Sequence, residues 1–193
     1  MILNKGNDTA VVRISGYHTN IVLIEKNGEV LYKAGEVQAD EKLLADKSLL
    51  NIKEIVEFAD ILDVNVGLPE IDEKEMMVRV VKALQGITDV PLQIDSTKPD
   101  VIEAALRVYN GKAIVNSVNG EDESLDAILP IVKRYGAAVV GLTLDSNGIP
   151  ETPQGRLAIA EKIVKRAEYF GIDRKDIYID CLTLTISTDQ NSA

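Results

Sequence analysis

The chain has 193 residues, 46% of them hydrophobic and 27% charged, with a formal net charge of -10. That length can bury a full core in one domain, and an acidic balance without a Lys/Arg block argues against nucleic acid as a partner, because phosphate binding needs clustered cations. No apolar stretch approaches the roughly 20 residues that cross a bilayer, and the N-terminus lacks the charged-then-apolar pattern of a signal peptide, so cytoplasm is the expected compartment and no membrane partner is expected.

In chain order, the first pattern lies between Ile21 and Val37, where two β-rich runs flank Asn27-Gly28. That dipeptide tolerates positive φ and suits a two-residue hairpin turn. From Asp40 to Phe58 the residues Leu43, Leu44, Leu49, Leu50, Ile52, Ile55 and Val56 fit a helix that feeds a strand near residue 60. No Gly-, Ser- or Pro-rich linker follows. Residues 1–58 therefore read as a hairpin and helix forming a cap or an atypical first unit.

From Ala59 onward the rule changes. Five short apolar runs recur at 59–67, 90–97, 113–120, 137–145 and 177–183. Their apolar cores suit burial on both faces of a parallel sheet. Asp63, Asn65, Asp95, Asn116, Thr143 and Asp180 fall near their carboxyl ends, where α/β proteins place ligand sites. Helical patterns separate the runs. Residues 71–86 put acids in a first turn, space Met77, Val80, Val81 and Leu84 helically and stop at Gly86; Pro99 opens the next helix and Asn110-Gly111 closes it. Residues 122–135 and 153–170 repeat the pattern and end at Gly136 and Gly171. This alternation predicts an α/β fold of parallel strands with crossover helices over 59–193.

Several residues carry two readings. Asp95-Ser96-Thr97 directly precedes Pro99, so Asp95 can cap a helix as well as bind a ligand. Asn116-Ser117 can serve local turn chemistry, and Asn65-Val66-Gly67 with Asp63 makes a good loop start. Asp180 follows I-Y-I with no helix start beside it; a carboxylate buried there costs several kcal/mol unless it has a partner or a ligand. Thr143, Asp145 and Asn147 read as shaping the loop before Gly148, and Arg156 as a helix-start ion-pair residue. Cys181 is the single cysteine, excluding an internal disulfide. Beside Asp180 it reads as a packing residue, since a neighbouring negative charge disfavours a thiolate. With only His18 to join it, zinc lacks ligands and no metal site is expected.

The words L-D-V-N-V-G, Q-I-D-S-T, I-V-N-S-V-N-G-E, G-L-T-L-D-S-N-G-I-P and I-Y-I-D-C-L-T-L-T, in this order and spacing, resemble the pterin-binding (dihydropteroate-synthase-like) barrels. Within them the stretch from Ala59 to about Thr188 looks closest to the methyltetrahydrofolate-binding domains of cobalamin-dependent methionine synthases and corrinoid protein methyltransferases. The resemblance implies a TIM-barrel-like fold, here partial: about five parallel strand–helix units plus the N-terminal hairpin, against eight units in a full barrel. Nothing before Ala59 matches the G-E-R-I-N-like strand end with which family members begin. A partial sheet would expose an edge, so a homo-oligomer or a complementing chain is an expected partner.

The same resemblance implies an activity: transfer of a methyl group from methyltetrahydrofolate to the Co(I) of a cobalamin or other corrinoid, as in methionine synthesis. Asp95 and Asp180 would accept hydrogen bonds from the amino and ring N–H groups of the pterin, charge-assisted and so stronger than neutral pairs. Asn116 would sit near the methyl-bearing nitrogen as the catalytic amide, with Asp63 and Asn65 as further substrate-binding residues. His18 lacks the D-x-H-x-x-G context of a cobalamin domain, so the corrinoid would come from a partner domain or protein. The alternatives are a non-catalytic pterin-binding remnant and a dihydropteroate-synthase-like enzyme. The I-V-N-S and Y-I-D-C-L words favour the methyltransferase branch over the latter.

Overall fold

Strand, loop and helix alternate where the periodicity placed them. The computed structural model describes residues 11–16, 19–26, 29–34, 61–67 and 72–182; the helix expected over 40–58, His18 and the Asn27-Gly28 turn lie outside these. Two compact units divide the chain at Ile114/Val115.

In the first unit, β1 (Val11–Gly16), β2 (Thr19–Lys26) and β3 (Glu29–Ala34) form an antiparallel meander. The β2–β3 register runs from Ile21↔Ala34 to Lys26↔Glu29, so the two strands expected on either side of Asn27-Gly28 do pair antiparallel. The sequence reading missed β1, which pairs antiparallel with β4 (Leu62–Asn65) through Val12↔Val64. The hairpin thus enters the sheet through a third strand. Next, β4 pairs in parallel with β5 (Leu92–Asp95), giving the order β3-β2-β1-β4-β5.

Alternation along β4 and β5 separates two chemistries. Leu62, Val64, Leu92 and Ile94 are at most 1% exposed. Their partners in the core are Met77, Val80, Val81 and Leu84 of α1 (Glu73–Gln85) and Val101, Ile102 and Ala105 of α2 (Pro99–Val108). The opposite face carries Asp63, Asn65, Gln93 and Asp95, all half-buried. Burial is therefore complete on one face only, where the sequence suggested both.

The second unit begins within β6 (Ile114–Val118) and sets it beside β7 (Ala138–Leu142) and β8 (Ile177–Asp180), with β7 and β8 parallel. Helices α3 (Asp122–Tyr135) and α4 (Pro153–Tyr169) intervene in the chain. Gly136 takes φ 65° to end α3, and Thr152 Oγ1 caps α4 by accepting from Gly155 N at 3.1 Å. Close packing fixes two glycines: a Cβ at Gly120 or Gly141 would meet Ile159 or Ile163 Cγ2 at 2.8 Å. Arg166 holds Asp126 with a bidentate pair at 2.7 and 2.5 Å, linking α4 to α3. This pairing lowers the Asp126 pKa, chiefly through the hydrogen bond from Arg166.

Among the described residues, no helix is long and apolar enough to cross a membrane.

Candidate functional site

The polar face of β4 and β5 is a paired array at the carboxyl ends of adjacent strands. Parallel register sets Asp63 beside Gln93 and Asn65 beside Asp95. Gln93 Nε2 donates to Asp63 Oδ1 at 2.7 Å, and Asn65 Nδ2 donates to Asp95 Oδ2 at 2.7 Å. Asn65 Oδ1 in turn accepts from Gly67 N at 3.0 Å, so its amide is engaged at both ends. The bond to Gly67 N is the local loop-start chemistry read for Asn65, while its bond to Asp95 is one the sequence did not suggest.

Asp95 does not cap α2. The N-cap position belongs to Lys98, which makes no side-chain cap bond. Ser96, 4% exposed, accepts from Lys98 N at 3.2 Å and donates to Glu73 Oε1 at 2.5 Å. Lys98 Nζ reaches Glu73 Oε2 at 2.8 Å, and the Glu73 hydrogen bond, followed by its charge, raises the Lys98 pKa above the ordinary lysine value. Sequence reasoning took Glu73 only for a first-turn acid and passed over Gln93. Strand alternation could have flagged Gln93, two residues before Asp95 on the same face.

In the second unit, Asn116 lies inside β6 rather than in a turn, half-buried between the buried Val115 and the half-buried Ser117, to which it is joined by a cis peptide. Its side-chain amide has no hydrogen-bond partner among the described residues. Thr143, 1% exposed, follows β7 and donates to the carbonyl of Asp180 from both Oγ1 (3.0 Å) and N (3.1 Å). Asp145 and Asn147 shape the next turn, where Asp145 Oδ1 accepts from Asn147 N at 2.8 Å.

Three expectations need correction. Asp180, the last residue of β8, is exposed, not buried; its Oδ1 accepts from Leu182 N at 2.8 Å, and Tyr178 on the same strand is 51% exposed. Tyr178 and Asp180 share an exposed face of β8, so the desolvation cost expected of a buried carboxylate does not arise. Cys181 is also exposed, which removes its packing role. Arg156 is a backbone tie rather than an ion-pair residue: Nε donates to Pro150 O at 2.9 Å and NH1 to Cys181 O at 3.2 Å, joining the loop after β7 to the end of β8.

A cleft of about 200 Å³, lined by Gln85, Thr88, Asp89, Val90, Leu92, Tyr109 and Asn110, opens at the amino end of β5, away from Asp95. Its polar groups bind one another: Gln85 bridges Val108 O and Asn110 N, and Tyr109 OH accepts from Leu92 N. Among the described residues no group of three or more His, Cys, Asp or Glu could hold a metal ion.

Parallel strands, intervening helices and polar residues at the strand ends define an α/β fold of the kind from which barrels are built. The chain belongs to the pterin-binding enzyme family, whose model matches residues 37–193 and so reaches back before Ala59. It is 36% identical over 141 residues to methionine synthase of Mycobacterium tuberculosis, covering 70% of this chain and 12% of that protein. Against methylcorrinoid:tetrahydrofolate methyltransferase of Eubacterium limosum it is 29% identical over 177 residues, covering 89% of this chain and 64% of the relative. The chain thus spans less than two thirds of the length of either relative. Among solved structures, dihydropteroate synthase of Thermus thermophilus aligns with a TM-score of 0.57 at 26% identity over 70% of this chain and 53% of that one. Dihydropteroate synthase of Xanthomonas albilineans in complex with 7,8-dihydropteroate aligns with a TM-score of 0.58 at 21% identity over 81% and 60%, a likeness of fold alone.

Proposed function

We propose that this chain binds methyltetrahydrofolate and takes part in methyl transfer between that folate and a corrinoid carried by a partner domain or protein. The observation that carries the reading is Asp95, set at the last position of β5 on a half-buried polar face and held by Asn65 Nδ2 at 2.7 Å. A carboxylate so oriented suits the amino and ring N–H donors of a reduced pterin, and charge assistance makes such bonds about twice as strong as neutral ones. Asp180, with its carbonyl gripped by Thr143, is the second proposed acceptor, and Asp63 and Asn65 complete the set of binding residues.

The chemistry asks for one more group. A tertiary amine leaves poorly, so the folate nitrogen must be hydrogen-bonded or protonated as its carbon–nitrogen bond breaks, and one proton is taken up when methyltetrahydrofolate becomes tetrahydrofolate. Asn116 is the proposed catalytic residue: its amide can hydrogen-bond at that nitrogen but cannot itself supply the proton, which arrives through water. A corrinoid would supply the metal that accepts or returns the methyl group. The two relatives' names run this transfer toward methionine and toward tetrahydrofolate respectively, so the proposal covers both directions.

Exposure of Asp180 favours a second reading, pterin binding without turnover. Both are tested by adding chemically reduced Co(I) cobalamin and methyltetrahydrofolate to the chain and following the methylcobalamin spectrum. The transferase reading predicts methylcobalamin formed in proportion to the chain concentration, with tetrahydrofolate as co-product. Saturable folate binding with no transfer above the protein-free rate would establish the second reading instead, and neither binding nor transfer would overturn both.

A further inference from the structure

Helix α1 begins with two acids in succession, and only one serves the helix. Asp72 Oδ1 accepts from Glu75 N at 3.0 Å and supplies the cap. The Glu73 side chain is only 10% exposed and spends both oxygens elsewhere, on Ser96 Oγ at 2.5 Å and Lys98 Nζ at 2.8 Å. A favourable charge at a helix start needs no burial, whereas desolvating a carboxylate is costly unless it is paired. The burial calls for another reason.

Ser96 directly follows Asp95, and the turn from Asp95 to Pro99 lacks a side-chain cap at Lys98. What holds that turn is Ser96, which receives Lys98 N and is itself anchored by Glu73. On its other side Asp95 is held by Asn65, whose amide is fixed by Gly67 N. A Cβ added at Gly67 would lie 3.8 Å from the Glu73 carboxyl, so Glu73 stands beside the ends of both β4 and β5.

We propose that Glu73 is a positioning residue for Asp95, acting through Ser96 to fix where β5 delivers its carboxylate to the pterin. The proposal rests on the pterin-site reading above. Because Glu73 works through Asp95, its effect should vanish where Asp95 no longer offers a full carboxylate.

Methyltetrahydrofolate is titrated against the full chain and the variants Glu73→Ala, Ser96→Ala, Asp95→Asn and Glu73→Ala/Asp95→Asn. Glu73→Ala and Ser96→Ala should each weaken binding about tenfold, and Glu73→Ala should change the Asp95→Asn chain by less than about twofold, the non-additivity expected of residues acting in one path. Glu73→Asp keeps the helix-start acid but shortens its reach, and serves in the same cycle if Glu73→Ala does not fold. Wild-type affinity in the Glu73 variants, or the same fold-loss in both backgrounds, would overturn the positioning role while leaving the pterin site standing. Absence of saturable binding to the unsubstituted chain, or an Asp95→Asn chain that binds like it, would remove the pterin reading and this proposal together.

Discussion

Gly141→Val is expected to destabilise the folded chain by about 3 kcal/mol, at the upper end of ordinary overpacking, lowering the thermal midpoint by roughly 6–12 °C. Gly141 sits in β7 where α4 crosses it. A Cβ there would meet Ile163 Cγ2 at 2.8 Å, Ile163 Cδ1 at 3.2 Å and Ile179 Cδ1 at 3.3 Å. Ile163 is fully buried and branched at Cβ, so it has no empty rotamer into which to retreat. Most of the cost should therefore belong to the contact with Ile163. In an Ile163→Ala background, which empties the space, adding Gly141→Val should cost less than about 1 kcal/mol. Equal losses in both backgrounds, read by thermal or urea unfolding, would contradict this account of how α4 seats on the sheet.

Asn116→Ala is expected to lower the rate of methyl transfer about 100-fold while leaving folate affinity within a few-fold and the thermal midpoint unchanged. The size follows from removing one preorganised hydrogen-bonding group from a site where charge develops. The selectivity follows from placement: the amide is half-buried on β6 without a partner among the described residues, so truncation breaks no bond within this unit. A loss confined to KM would make Asn116 a binding residue only. An unchanged rate would remove it from the mechanism.

Local pattern revealed the α/β elements because each one is written locally. Periodicity, Pro99 and Pro153 at helix starts, and Gly136 and Gly171 after helix ends place all four described α-helices within a few residues of their expected bounds. The Asn27-Gly28 signal likewise located the β2–β3 hairpin, while β1 was passed over because V-V-R-I-S-G ends at Tyr17-His18, which is no turn dipeptide.

Facts about neighbours were less legible. Gln93 matters because the parallel register sets it against Asp63, and Glu73 because the turn after β5 brings Ser96 to it across 23 positions of chain; neither relation has a local signature. Exposure of Asp180 and Cys181 was misjudged for the same reason, since an apolar run announces a strand but not whether both of its faces are covered. Arg156 shows a related limit: charge suggested an acid as its partner, and the fold supplies two backbone carbonyls instead.

The most direct measurement of the central idea, that strand-end acceptors form a pterin site, is a calorimetric titration of methyltetrahydrofolate into the unsubstituted chain, Asp95→Asn and Asp180→Asn. Each substitution keeps the shape of the side chain and removes its charge, so saturable binding by the unsubstituted chain should weaken at least about tenfold in each variant. Equal binding by all three chains, or none by the unsubstituted one, would contradict it.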